Sequence, residues 1–246
     1  MIKHYPFQQI GKANHGWLKS NHHFSFANYY NPKRMGFGSL LVVNDDWVAA
    51  GTGFPAHPHR NMEIITFVRS GAVTHKDNAG NTGVTLAGEV QVMSAGKGIT
   101  HSEYNLSKEP LTLYQIWIEP NKHNVTPRWD SKVFSDSTVN HTNTVNRKDN
   151  TRLPLLVSGY PDEQDNALFI NQAARIYGGK VKKGSLFTHK IEHQVYVLAS
   201  NGEFEIIDNQ QTVLMKKGDG AEVIKQHEIT IKAISDAEII IIDAPA

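Results

Sequence analysis

GTGFPAHPHRNMEIITFVRSG, residues 51–71, holds a strand and a candidate binding site in one stretch. Ile64 to Val68 is a run of β-branched and aromatic residues closed by Ser70-Gly71, the pattern of a strand ended by a turn. Just before it, His57-Pro58-His59 places two histidines two residues apart, so in an extended chain both rings leave the same face and two imidazoles can share one ion. With 13 histidines in 246 residues about 0.7 such pairs arise by chance. The surrounding glycines add what the pair alone lacks. Gly51 precedes it, Gly71 follows it, and Gly88, Gly96 and Gly98 lead into His101-Ser102-Glu103, which repeats the spacing of two. Glycines so placed let a barrel turn its corners and let backbone approach a buried site. His57, His59, His101 and Glu103 then offer three neutral nitrogens and one carboxylate, the donor set of an open metal site.

Outward from this stretch the chain keeps the same texture. Val195 to Leu198 runs into Asn201-Gly202, and Thr112 to Ile118 is ended by Glu119-Pro120, because proline supplies no ladder donor. No segment carries a long, capped 3.6-residue period, so helices should be few and short, Ile170 to Ile176 being the best candidate. Many short strands with regular turns predict an all-β chain with a sandwich or barrel in each half. The polar stretch from Ser135 to Arg152 marks the seam, giving domains 1–145 and 146–246. Ser70-Gly71 is echoed by Asn201-Gly202, and Met93-Ser94-Ala95-Gly96 by Met215-Lys216-Lys217-Gly218, as a duplicated β unit would produce.

Composition narrows the function classes. The chain is 39% hydrophobic and 20% charged, enough to bury a core without excess charge to expand it. A net charge of +1 lacks the basic surplus of a nucleic-acid binder, and direct binding to DNA is disfavoured. The absence of cysteine excludes disulfides, thiolate zinc sites, iron–sulfur clusters and thiol nucleophiles, so any metal is held by nitrogen and oxygen. Met1 to Ile10 has no apolar core of a signal peptide, and the longest aliphatic run, Ile239 to Ile242, is too short to span a membrane. A cytoplasmic location with no membrane association is the expectation.

At this point the sequence resembles the cupin superfamily, whose motifs read G-x5-H-x-H-x3-E and G-x2-H-x3-N. Gly51, His57, His59 and Glu63 fit the first, and Gly98, His101 and Asn105 the second. More narrowly, HHFSFANYYNPKRMGFG (His22 to Gly38), NDD (Asn44 to Asp46), HPHRNMEIITFV (His57 to Val68) and SAGKGITHSEYN (Ser94 to Asn105) resemble the pirin family. NQAARIYGG (Asn171 to Gly179) and KKGDGA (Lys216 to Ala221) extend the likeness into the second half. Ser94 stands where the second cupin motif usually has proline, and the gap from Glu63 to Gly71 is one residue longer than in the general pattern, so the pirin version fits better.

The resemblance implies two tandem jelly-roll-like cupin barrels with His57, His59, His101 and Glu103 as the metal ligands, and leaves Glu63 to support them. It implies one divalent transition metal, Fe(II) first, with Cu, Ni, Mn and Zn also compatible with such donors. The activity it implies is that of a quercetin 2,3-dioxygenase, with a flavonol and dioxygen as partners and Glu103 as the group that ligates the ion or takes the 3-hydroxyl proton. The alternative is a metal-dependent redox sensor or transcriptional cofactor without turnover, for which Lys180 to Lys183 offers a basic segment.

Laying Gly202 on Gly71 puts Thr188 and Lys190 at the positions of His57 and His59 and Gln194 at Glu63; laying Gly218 on Gly96 puts Val223 and Lys225 at His101 and Glu103. The second domain thus lacks metal ligands, although His189 and His193 lie one register step away. Elsewhere, His22 and His23 precede an aromatic run and read as pinned to the core, whereas His75, His123, His141 and His227 read as solvated. Trp17, Trp47, Trp117 and Trp129 read as core or pocket wall. A monomer is expected if the two barrels cover each other's apolar faces.

Overall fold

The computed structural model describes residues 1–134, 138–139 and 153–246, and the seam expected between residues 145 and 146, with His141, lies outside them. The first strands are β1 (Ile2–Tyr5), β2 (Gly11–Asn14), β3 (Leu18–His22), β4 (Leu40–Val48), β5 (Gly53–His59) and β6 (Glu63–Ser70). They continue as β7 (Ala72–Asp77), β8 (Thr82–Leu86), β9 (Glu89–Ser94), β10 (Ile99–Tyr104), β11 (Leu111–Ile118) and β12 (Arg128–Val133). After these come β13 (Thr138–Val139), β14 (Leu155–Ser158), β15 (Leu168–Phe169), β16 (Arg175–Val181), β17 (Leu186–Lys190) and β18 (Gln194–Asn201). The chain closes with β19 (Glu203–Ile207), β20 (Thr212–Lys216), β21 (Gly220–Val223), β22 (Glu228–Ala233) and β23 (Ala237–Ala244). Among the described residues the helical elements are two 3₁₀ turns, Phe7–Gln9 and Pro161–Glu163, and no helix is long and apolar enough to cross a membrane.

Two compact units result. One is Ile10–Phe134 with Ser158–Ala173; the other is Met1–Gln9 with Ser135–Val157 and Ala174–Ala246. The first has sheets ordered β12-β9-β6-β11-β4-β3-β2 and β5-β10-β7-β8. The second has β1-β21-β18-β23-β16, extended by β14, and β17-β22-β19-β20. Strand for strand these are one plan used twice, the two-sheet cupin layout, with β1 standing where β12 stands in the first unit.

The helix expected over Ile170 to Ile176 is not there. Ile170, Gln172, Ala174, Ile176 and Gly178 are buried and the residues between them are not, a period of two that leads into β16. Buried Gln172, donating to the Glu119 carbonyl at 2.7 Å, hides that alternation from a hydropathy reading.

The cores differ between units. In the second, Val195, Val197, Phe204, Ile206, Ile229, Ile231, Ile239 and Ile241 form one continuous apolar cluster, each at most 1% exposed. In the first, Val48, Val68, Val73, Leu111 and Leu113 make one cluster and Ile64, Met93, Ala95 and Ile99 another. On β6 the inward positions read Ile64, Thr66, Val68, so a polar residue separates the two apolar groups.

Candidate metal centre

Antiparallel pairing of β5 with β10 sets His57 opposite His101 and His59 opposite Ile99. Between His101 and Glu103 the register shifts, Glu103 lying opposite Phe54, so β5 carries one extra residue around Pro55-Ala56. As an edge strand, β5 tolerates both Pro55 and Pro58, which have no ladder proton to give.

This register brings three of the four expected ligands together. His57, His59 and His101 have ring nitrogens within 4.8 Å of one another, and Nε2 of His101 is 3.1 Å from Nε2 of His57. The His57 Nδ1–H donates to the Pro55 carbonyl at 2.7 Å, which leaves Nε2 as the lone pair turned to the cluster. Burial first, then the neighbouring imidazoles, pushes His101 down to about 3 and His59 down to about 4, so both rings are neutral near pH 7. Neutral, convergent imidazoles are what a divalent transition metal requires, and this donor set fits one.

Glu103 does not join that triplet; it groups instead with His101 and His75. Its carboxylate is held by neutral donors: Gln91 Nε2 at 2.6 Å and Thr66 Oγ1 at 3.3 Å on Oε1, and Gln115 Nε2 at 2.8 Å on Oε2. The amide of Gln91 is fixed in turn by the Thr85 hydroxyl, which donates to its Oε1 at 2.8 Å. Burial pushes the Glu103 carboxyl up, against the pull of His75, Gln115, His57 and Thr66. The donors come from a polar row across the inner face of one sheet, where successive cross-strand partners are His22, Asn44, Gln115, Thr66 and Gln91. Sequence reasoning missed this row, because each member is one polar residue in its own strand and only the pairing lines them up.

His75 is a correction. It is 0% exposed rather than solvated, stacked on Trp129 at 5.0 Å and 10°, with Nδ1 3.4 Å from Nδ1 of His101 and Nε2 2.9 Å from Oδ2 of Asp77. A signal existed: Val73, His75 and Asp77 alternate on β7, which puts His75 on the face of a core valine. His123 and His227 are exposed as expected. Glu63 supports none of the four; Ser94 Oγ donates to it at 2.7 Å and Asn171 Nδ2 at 3.1 Å. Asn105 ties the turn after β10, donating to the carbonyls of Val48, Ala49 and Glu109.

A cavity of about 540 Å³ opens onto the histidines and Glu103. Phe26, Tyr29, Phe54, Ile64 and Trp117 supply its apolar wall, and His22, Asn44 and Asp46 a polar one. Trp117 meets His59 edge-on at 5.0 Å, so indole as well as strand geometry sets that ring.

Residues 4–118 match the family described as Pirin, and residues 155–244 the family described as Quercetinase C-terminal cupin domain. A pirin-like protein of Caulobacter vibrioides is 45% identical over 246 residues, covering 99% of this chain and 100% of that one. A quercetin 2,3-dioxygenase of Escherichia coli K12 is 42% identical over 238 residues, covering 96% of this chain and 95% of its own. The crystal structure of the bacterial pirin YhhW from Escherichia coli in complex with nickel(II) superposes with a TM-score of 0.87 at 40% identity, covering 100% of this chain and 99% of that one. Alignment from end to end with such relatives, on a shared fold, establishes that the chain belongs to the pirin family.

Proposed function

We propose that this protein is a metal-dependent dioxygenase that opens flavonols such as quercetin, with His57, His59 and His101 holding one divalent ion and Glu103 beside it. The observation that carries the reading is that neutral imidazoles and a buried carboxylate together line a largely apolar cavity of about 540 Å³, a size suited to a flat aromatic molecule. The names of the relatives favour the same substrate class, and nickel in YhhW favours a divalent transition metal. Iron(II) is the proposed native ion.

When bound, such an ion supplies Lewis acidity toward a hydroxyl and redox chemistry toward dioxygen. The chain's own residues do the rest. Phe26, Phe54 and Trp117 exclude water and hold the aromatic rings. Glu103 takes the 3-hydroxyl proton at a carboxylate oxygen, a role that burial favours by raising its affinity for protons. Gln91 and Gln115 aim that carboxylate, their N–H groups donating to Oε1 at 2.6 Å and to Oε2 at 2.8 Å.

Anaerobic loading with Fe(II), addition of quercetin and exposure to air should bleach the flavonol absorbance and release carbon monoxide. Glu103→Gln should keep the metal and lose turnover by about 100-fold or more. His101→Ala should lose the metal by elemental analysis. A metal-replete wild type that leaves quercetin intact favours the redox regulator instead, and wild-type metal content in His101→Ala overturns the ligand assignment.

A further inference from the structure

His75 and Asp77 lie behind the histidine triplet and have no part in the proposed chemistry. Two residues apart on β7, they share its inner face, and both side chains are fully enclosed. Asp77 is surrounded by N–H donors: Oδ1 accepts from the backbones of Ala79 and Asn81 at 2.9 Å each, and Oδ2 from Asn81 Nδ2 and His75 Nε2 at 2.9 Å each. A carboxylate filled in this way is anionic, so the His75 Nε2 bears a proton. The other ring nitrogen, Nδ1, faces Nδ1 of His101 at 3.4 Å, close enough for one proton to be shared between the two rings. With His101 as the donor of that contact, its lone pair stays on Nε2, 3.1 Å from Nε2 of His57, whose own Nδ1 proton is engaged by Pro55. Two lone pairs at that separation repel, and a shared cation removes the repulsion.

The second unit serves as an internal control. Asp208 stands six residues after Gly202, as Asp77 stands six after Gly71, and it caps the same kind of turn, accepting from the backbones of Gln210 and Gln211 at 2.8 Å. There the position of His75 is Ile206 and that of His101 is Ile229. The turn needs its aspartate and does without a histidine, so His75 answers to something other than the turn. Trp129 braces it: a Cβ on Gly83 would lie 2.1 Å from the indole, so only a bare backbone admits the ring that stacks on His75.

We infer that Asp77 and His75 form a buried relay behind His101 that fixes its tautomer with Nε2 free for the ion and passes part of the aspartate's negative charge to that ligand. They are positioning residues, and the inference rests on the proposed reading of the triplet as a metal site.

The test uses the full chain loaded with Co(II). His75→Phe keeps the stack on Trp129 and cuts the relay; Asp77→Asn keeps the ring and removes the charge. Each should lower Co(II) affinity, measured by chelator competition, by about 10- to 100-fold. In the proton NMR spectrum of the Co(II) protein, His75→Phe should lose or shift one exchangeable, paramagnetically displaced imidazole N–H while that of His57 stays in place. With iron, both variants should raise the reduction potential. Wild-type affinity together with an unchanged N–H pattern in His75→Phe overturns the relay, as does a wild type that binds a second ion through His75. Should His75→Phe not fold, Asp77→Asn carries the same measurements. None of these reads flavonol turnover, so a protein that passes them and leaves quercetin intact overturns the proposed activity and not the relay.

Discussion

Asp46 faces inward from β4, paired across the sheet with Ser20 on one side and Leu113 on the other, and its Oδ1 has no hydrogen-bond partner among the described residues. Burial first, and then the negative charges of Asp45 and Glu103, push its carboxyl up to about 7, although the Ser20 hydroxyl and Arg69 pull the other way. The folded chain thus holds this proton more tightly than the unfolded chain, whose carboxyl titrates near 3.8. The stability this group provides is complete below about pH 4 and is lost as the pH rises through about 7. Asp46→Asn keeps the shape and removes the titration. Its stability should match wild type near pH 4 and exceed it at pH 8 by up to about 4 kcal/mol, one pKa unit being about 1.4 kcal/mol. Urea melts at the two pH values check this; parallel curves would show that Asp46 does not titrate in that window. Residues of this kind explain which parts of the site were legible. His57, His59 and His101 announce themselves by spacing and a frame of glycines, whereas Asp46, Thr66, Gln91 and Gln115 matter through their cross-strand neighbours, which no single strand's sequence displays.

Among elements, β1 is the clearest case of a segment serving a unit distant in sequence. Its residues pair with β21 from Ile2 opposite Val223 to Tyr5 opposite Gly220, and Ile2 enters the apolar core of the second unit. His4 Nε2 and the Phe7 backbone N–H both meet Asp219 at 2.8 Å, and the Phe7 ring lies where a Cβ on Gly218 would be, 2.4 Å away. Removing residues 1–9 should uncover the backbone edge of β21, empty the site of Ile2 and cost the second unit about 2–5 kcal/mol. Hydrogen exchange measures it: amides of β21 and β18 should lose protection while those of β6 and β11 keep theirs, and unchanged protection in β21 would refute the role given to β1. Strand existence was readable from alternation and turn residues. The destination of β1 was not, because four residues with a half-buried pattern carry no sign of which of two similar sheets they complete.

Across the whole molecule the duplication was legible at Ser70-Gly71 and Asn201-Gly202, whose glycines have φ of 77° and 72°, but the second echo misled. Gly218 corresponds to Gly88 and not to Gly96: Gly88 donates to the Val68 carbonyl and Gly218 to that of Ala199, each three residues before the shared turn glycine. The register of the ligand positions is corrected by the same pairing. His189 lies opposite Ile229 as His57 lies opposite His101, and Ile231 opposite Ile206 as Glu103 lies opposite His75. The positions of His57, His59, His101 and Glu103 are therefore His189, Ile191, Ile229 and Ile231 rather than Thr188, Lys190, Val223 and Lys225. Counting back from the glycine slipped by one because three residues join β5 to β6 and one fewer follows Ile191 before β18.

This comparison makes a severe test of what a metal site requires of its surroundings. The variant Ile191→His, Ile229→His, Ile231→Glu restores, with His189, three imidazoles and one carboxylate in the second unit. The positions that cradle Glu103 in the first unit, Thr66, Gln91 and Gln115, are Val197, Ala221 and Ile241 in the second, none of which can donate from its side chain. A carboxylate introduced at position 231 would be enclosed by the apolar cluster without a hydrogen bond, at a cost of several kcal/mol. The triple variant should lose about 5 kcal/mol or more of stability and take up no more metal per chain than wild type. Adding Val197→Thr, Ala221→Gln and Ile241→Gln should recover part of the loss, because each supplies one of the donors that Glu103 has. Elemental analysis beside thermal melts decides the matter: a stable triple variant with a second ion would mean that ligands alone specify the site and that the polar row in the first unit is dispensable.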